Sequence, residues 1–228
     1  LLNANLVRYD PDFNLIWRVD SIEHGTREME LLDLDRDGKL EVACANKYGH
    51  VEIFSADGHQ LPGPYSELGD VDMAFGDMDG DGQYEVANGS STGAFTCQTF
   101  RGDVKFRFPN YGFGWREVLM ADVRGDDPTE LLLGSETGYL YILGPEGEVL
   151  AQRDFGDVVN DLAVLDGDGK SRIAAACADG GIYVLDGDAN LSAGLQLDAG
   201  VELVAVLRAE GGPRLLAATA GTLACLTP

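Results

Sequence analysis

Asp33-Leu34-Asp35-Arg36-Asp37-Gly38-Lys39-Leu40-Glu41 and Asp77-Met78-Asp79-Gly80-Asp81-Gly82-Gln83-Tyr84-Glu85 share one pattern, D-x-D-x-D-G-x-x-E. Hard cations such as Ca²⁺ take six to eight oxygen ligands, and short loops supply them from carboxylates at alternate positions plus a backbone carbonyl. Here the carboxylates are Asp33, Asp35, Asp37 and Glu41, and Asp77, Asp79, Asp81 and Glu85. The carbonyls come from Lys39 and Gln83, and Gly38 and Gly82 permit the sharp turn that wraps the loop. Two Ca²⁺ sites are expected. An EF-hand is excluded, because it needs a twelve-residue loop between helices, whereas here the Glu falls at position nine and the flanks read as strands.

The two strings begin 44 residues apart, and the chain around them repeats. Gly49, Gly93, Gly138, Gly180 and Gly221 recur at spacings of 44, 45, 42 and 41. Each is followed by a short apolar run such as Val51-Glu52-Ile53-Phe54, Tyr139-Leu140-Tyr141-Ile142 or Ile182-Tyr183-Val184-Leu185, then by a tight Gly-containing turn. β-branched and aromatic runs bounded by Gly read as strands, and no segment sustains a helical period. A repeat of about 40 to 45 residues built of short strands is the signature of propeller blades. The reading is all-β: one β-propeller domain over residues 1–228, with N-terminal strands in 1–20 and units at about 26–70, 71–115, 116–158, 159–199 and 200–228. In the second unit the strands are read at 72–76, 85–88, 95–100 and 104–108. Five blades are expected, closed by Leu15-Ile16-Trp17-Arg18-Val19 as the missing fourth strand of the last one, since closure removes exposed edges. The alternative is an arc of a six- to eight-bladed ring, because Leu6–Tyr9 and Thr222–Leu226 both look like third strands.

At this point the residues resemble the FG-GAP/VCBS family of integrin-α-like propeller repeats, over nearly the whole chain and through the D-x-D-x-D-G-x-x-[DE] loops. The resemblance implies Ca²⁺ between the first two strands of a blade, and roles in adhesion and assembly. The later units depart from it. Unit three keeps Asp122, Asp126 and Glu130, but Arg124 replaces the middle acid and Pro128 takes the carbonyl position. A guanidinium at 124 is expected to stand in for the ion by pairing with those carboxylates. Unit four, Asp166-Gly167-Asp168-Gly169, is short and ends in Arg172, and unit five, with Arg208, Glu210 and Arg214, has lost the site.

A second periodicity is an acid at the start of the first strand in every unit: Glu28, Asp72, Glu117, Asp161 and Glu202. First strands line a propeller's channel, so these acids should ring one mouth of it. They would bind a cationic or sugar ligand, or accept backbone N–H groups from the next blade. At the same mouth Asn110-Tyr111-Gly112-Phe113-Gly114-Trp115 offers Tyr111, Phe113 and Trp115 as a stacking platform, or as wedges between blades, with Tyr48 and His24 nearby.

A net charge of −23 with 39 acids excludes nucleic acid as the partner, because phosphate binding needs a basic surface. No apolar run is long enough to insert in a membrane. Cys44, Cys97, Cys177 and Cys225 are widely spaced and read as free thiols. No nucleophile–base pair or phosphate loop stands out, and Trp17 and Trp115 are too few for a quinone-cofactor propeller. The expected function is a noncatalytic, calcium-stabilised recognition or scaffold module for a protein or glycan partner, outside the cytosol or in the periplasm. The alternative is a carbohydrate-active enzyme, a glycosidase or lyase, using the channel-mouth carboxylates.

Overall fold

The computed structural model describes residues 4–22, 26–46, 51–63, 71–127, 129–167, 170–209 and 212–226. Every regular element is a strand. Blade 1 consists of β3 (Thr26–Leu32), β4 (Glu41–Asn46), β5 (Val51–Phe54) and β6 (Gln60–Leu61). Blade 2 consists of β7 (Val71–Gly76), β8 (Glu85–Ser90), β9 (Phe95–Thr99) and β10 (Val104–Arg107). Blade 3 is β11 (Trp115–Ala121), β12 (Glu130–Ser135), β13 (Tyr139–Leu143) and β14 (Val149–Asp154). Blade 4 is β15 (Val159–Gly167), β16 (Lys170–Cys177), β17 (Gly181–Leu185) and β18 (Leu191–Gln196). Blade 5 holds β19 (Val201–Ala209), β20 (Gly212–Thr219) and β21 (Leu223–Leu226). The chain is a five-bladed β-propeller, and the strands read from the second unit lie within a residue or two of β7 to β10.

Alternation builds the core. On β8 and β9, Ala87, Phe95 and Cys97 face blade 3, packing with Trp115, Val118, Leu131 and Leu133. Met73, Phe75 and Val86 of the same blade face Leu32, Ala43, Ala45 and Ile53 of blade 1. The sheets of blades 2 and 3 therefore bury both faces between neighbours, which explains why β8 and β12 are buried along their whole length. The first strands β7, β11, β15 and β19 meet one another from blade to blade, so they line the axis. Cys44, Cys97 and Cys177 are buried in this packing and Cys225 is exposed. Burial pushes the Cys44 thiol up to about 11 and those of Cys97 and Cys177 up to about 12.

Closure differs from the expectation. Among the described residues Leu15–Val19 does not complete blade 5: β2 (Leu15–Ile22) pairs with β1 (Ala4–Tyr9), and blade 5 remains three-stranded. A local turn decides this. Asp10 Oδ1 accepts the amides of Asp12 and Asn14, Oδ2 accepts Asn14 Nδ2, and the Phe13 amide donates to the Asp10 carbonyl. Such an Asx turn closes a short loop at small entropic cost, whereas pairing with β21 joins strands some 200 residues apart in sequence. The hairpin packs Leu6, Trp17 and Val19 on Val42, Cys44 and Phe54 of blade 1, with Trp17 Nε1 donating to the Ala56 carbonyl at 2.8 Å. It thus covers the side of blade 1 away from blade 2.

Candidate metal loops and channel mouth

The two acidic loops join the first and second strands of blades 1 and 2, at the mouth opposite the 110–114 connection. The second residue of each loop anchors it: Met78 is fully buried and Leu34 packs into the core between blades 1 and 2. Its amide donates to the closing Glu, Leu34 N to Glu41 Oε2 and Met78 N to Glu85 Oε2, each at 2.9 Å. Blade 3 repeats this with Val123 N and Glu130 Oε2 at 2.9 Å. Glu41, Glu85 and Glu130 are all buried. Burial pushes the Glu85 and Glu130 carboxyls above their usual range, although the loop amides pull them back. Gly38 and Gly82 adopt φ of +85° and +87°, and their amides donate to Asp33 and Asp77 at 3.0 and 2.9 Å.

The donor set of loop 1 fits a hard cation. Carboxylate oxygens of Asp33, Asp35 and Asp37 converge to within 4.8 Å of one another. Asp33 Oδ1 is buried and has no hydrogen-bond partner, as is Asp77 Oδ1 in loop 2. A buried carboxylate oxygen without a donor costs free energy unless a cation faces it. In loop 2 the converging oxygens belong to Asp77, Asp79 and Glu85, with Asp81 outside the cluster. Two cations that no motif announced reach this loop. Lys105 Nζ lies 2.7 Å from Asp79 Oδ2 and 3.2 Å from Glu85 Oε1, and Arg36 of loop 1 lies 3.3 Å from Asp77 Oδ2.

Blade 3 corrects one expectation. Asp122, Asp126 and Glu130 do converge, but Arg124 does not pair with them. Its Nη1 binds Asp188 Oδ1 at 2.5 Å and the Gly187 carbonyl at 3.3 Å. The guanidinium follows the sheet edge to blade 4, where an exposed carboxylate and a carbonyl offer it a fork that the tight loop does not. In blades 4 and 5 the ladders run out to Gly167↔Lys170 and Ala209↔Gly212, which leaves no wide loop.

At the other mouth the column acids stand on the inner strands. The side chain of Glu28 lies outside the described residues, as do Tyr48 and His24. Asp72, Glu117 and Asp161 are half-buried, and Glu202 is exposed. Asp161 reaches the next blade: its Oδ2 accepts the Val204 amide at 2.7 Å and its Oδ1 the Leu162 amide at 3.0 Å. Burial raises the Asp161 carboxyl, against those amides and a hydrogen bond with Glu117. An acid whose folded-state pKa lies above its unfolded value gives stability that is present below the ordinary Asp range and is lost as the pH rises through the raised value. Glu117→Gln should let an amide donate to the Asp161 carboxylate. The expected result is about 1 kcal/mol more stability at pH 7.5 and a shallower loss of stability as the pH rises above the ordinary Asp range, read by urea unfolding. An unchanged pH profile would count against the pairing.

The 110–114 connection is fixed by Asn110, only 3% exposed. Its Nδ2 donates to the Phe113 and Gly114 carbonyls and to Ser135 Oγ at 2.7, 3.1 and 3.0 Å. Tyr111 sits at φ +51° and is 88% exposed, and Phe113 is 53% exposed. Trp115 is a core residue instead, 4% exposed and set among Phe95, Phe108 and Tyr141. It is a wedge between blades 2 and 3, and the platform is reduced to Tyr111 and Phe113.

Residues 33–88, which run from the first acid of loop 1 to β8, match the model of the FG-GAP-like repeat. That stretch is similar to an FG-GAP-like repeat. No curated protein matches it. Among solved structures it is similar to BBS1N in complex with ARL6DN, at 16% identity and a TM-score of 0.65, over 86% of this chain and 63% of that one. It is also similar to Sqt1 of Saccharomyces cerevisiae, at 13% identity and a TM-score of 0.71, over 93% of this chain and 62% of that one. The chain therefore spans less than two thirds of the length of either. Identities this low speak to the propeller fold alone. No helix among the described residues is long and apolar enough to cross a membrane.

Proposed function

We propose that this propeller is a noncatalytic recognition or scaffold module, stiffened by calcium at its acidic loops, which holds a protein partner at the mouth carrying Tyr111 and Phe113. One observation carries the reading: an 88% exposed aromatic held at φ +51° by a buried asparagine. Strain in a sparsely populated backbone region persists only where the surroundings over-determine it, and it marks sites of function more often than of packing. A rigid tyrosine also supplies contact area at low entropic cost. The similar BBS1N propeller is itself in complex with ARL6DN, which supports a protein rather than a glycan as the partner. Loops of this kind fill best where free calcium is high, which favours a compartment outside the cytosol.

The enzyme reading rests on the channel-mouth carboxylates Glu28, Asp72, Glu117, Asp161 and Glu202, and the environment of Glu117 and Asp161 disfavours it. Retaining glycosidases hold two carboxyls about 5 Å apart, and inverting ones farther still. Here the two acids hydrogen-bond one another, and both Asp161 oxygens are engaged by backbone amides. A photo-crosslinking residue placed at position 111 is expected to give one discrete protein adduct, and at Glu146, in the β13–β14 turn of the opposite mouth, none. Tyr111→Ser with Phe113→Ser should abolish capture without moving the melting temperature. Adducts at 146 alone, or binding indifferent to the double substitution, would move the interface elsewhere.

A further inference from the structure

The two loops share a sequence pattern but not an electrostatic setting, and the difference lies in a strand neither pattern includes. β9 and β10 pair as Val104↔Gln98 and Phe106↔Cys97, so Lys105 is the extra residue of a β-bulge. The irregularity recurs at the same place in blades 3 and 4, where Leu150 and Ser192 fall in the break. In blade 1, Leu61 pairs with Ile53 and Gln60 with Phe54, without a break. A bulge re-aims its extra side chain, and only in blade 2 does that side chain carry a charge.

The re-aimed ammonium enters the loop. Lys105 is 18% exposed and contacts Asp79 and Glu85, two of the three acids whose oxygens converge there. Burial opposes the charge, but the hydrogen bonds to Asp79 and Glu85 outweigh it and hold the ammonium above its ordinary pKa. A divalent cation needs oxygens of these same carboxylates at about 2.3–2.6 Å, and an ammonium at hydrogen-bond distance from them repels it and takes up their negative charge. Arg36 adds a second positive charge at Asp77. On the acids of loop 1 the only ion pair among the described residues is Lys39 with Asp37, on the solvent side, and none reaches Asp33 or Asp35.

We infer that Lys105 is a tethered competitor of the metal ion at loop 2, so that loop 1 fills first and loop 2 fills only by displacing it. The inference rests on the cation reading of the loops given above. Calcium titration calorimetry of the chelator-stripped 228-residue chain is expected to show one tight site and one at least tenfold weaker. Lys105→Met should bring the second site to within about threefold of the first. Asp35→Asn should remove the tight class, and Asp79→Asn should leave it untouched. Two indistinguishable sites in the unaltered chain, or a weak class indifferent to Lys105→Met, would overturn the inference. If Lys105→Met fails to fold, Asp79→Asn decides alone, since loss of the tight class there reverses the assignment. Absence of tight binding in the unaltered chain, with one site gained in Lys105→Met, refutes loop 1 but sustains Lys105. No binding in either refutes both.

Discussion

Removing calcium with a chelator should lower the melting temperature of this protein by about 5–10 °C. The magnitude follows from linkage. A ligand present at a hundred times its dissociation constant stabilises the native state by about 2.7 kcal/mol, and each kcal/mol moves the midpoint of a domain this size by roughly 2–4 °C. The physical source is Asp33, whose buried Oδ1 has no donor while Asp35 and Asp37 crowd within 4.8 Å. Without a cation that oxygen is desolvated among like charges, and the net charge of −23 adds a diffuse repulsion. Asp35→Ala separates the cation from mere acidity. Asp35 is exposed, so its loss should change little in chelator, yet it should remove most of the calcium-dependent gain. Scanning calorimetry with and without chelator checks both, and equal midpoints in the unaltered chain would sink the two-loop reading.

What the sequence discloses depends on whether the determining contact is local. Strand spans, the repeat and the acidic loops are local: β8 is announced by Glu85-Val86-Ala87-Asn88, and the loop before it by alternating acids and a glycine whose positive φ the turn requires. The anchoring of each loop by its closing Glu is also readable, because the donor and acceptor lie only seven residues apart. The non-local partners are what stays hidden. Lys105 meets Asp79 across 26 residues and Arg124 meets Asp188 across 64, and nothing in either stretch names the other. A signal for Lys105 did exist, since it is the charged residue where the neighbouring repeats carry leucine or serine, but only the bulge gives that position a direction. Trp115 misleads for the opposite reason. The glycines before it, Gly112 and Gly114, suggest a loop display, whereas pairing with Ser135 fixes it as the first residue of β11 and turns the indole inward. The β1–β2 segment reads from sequence as the third and fourth strands of a blade, but whether β2 stays with β1 or goes to the last blade is a competition that the Asp10 turn wins locally.

The recurring glycines allow backbone strain and steric closeness to be measured separately within one fold. Gly93 and Gly180 close the turn between second and third strands at φ of +83° and +93°. A Cβ at Gly93 would lie 2.5 Å from the Phe113 carbonyl oxygen, and one at Gly180 would lie 2.5 Å from that of Leu197. In both blades the turn is pressed against the connection leading to the next blade, and at Gly180 the pressing is a backbone bond, Leu197 N to the Gly180 carbonyl at 2.9 Å. Gly93→Ala and Gly180→Ala therefore meet two penalties, a left-handed backbone at about 1–2 kcal/mol and a clash with backbone that cannot rotate away, at about 1–3 kcal/mol. The expected loss is about 3 kcal/mol each. Gly102, in the turn between β9 and β10, has φ +94° but nothing within 4 Å of its Cβ position, so Gly102→Ala should cost only the backbone share, about 1 kcal/mol. Gly221 has neither, because the last unit closes with the shorter turn in which Thr219 N donates to the Thr222 carbonyl and no neighbour approaches. Gly221→Ala should stay within about 0.5 kcal/mol of the unaltered chain. Urea unfolding in saturating calcium orders the four. If Gly102→Ala costs as much as Gly93→Ala, the close approach between turn and connection contributes nothing, and the recurrence of glycine at these turns reflects backbone conformation alone.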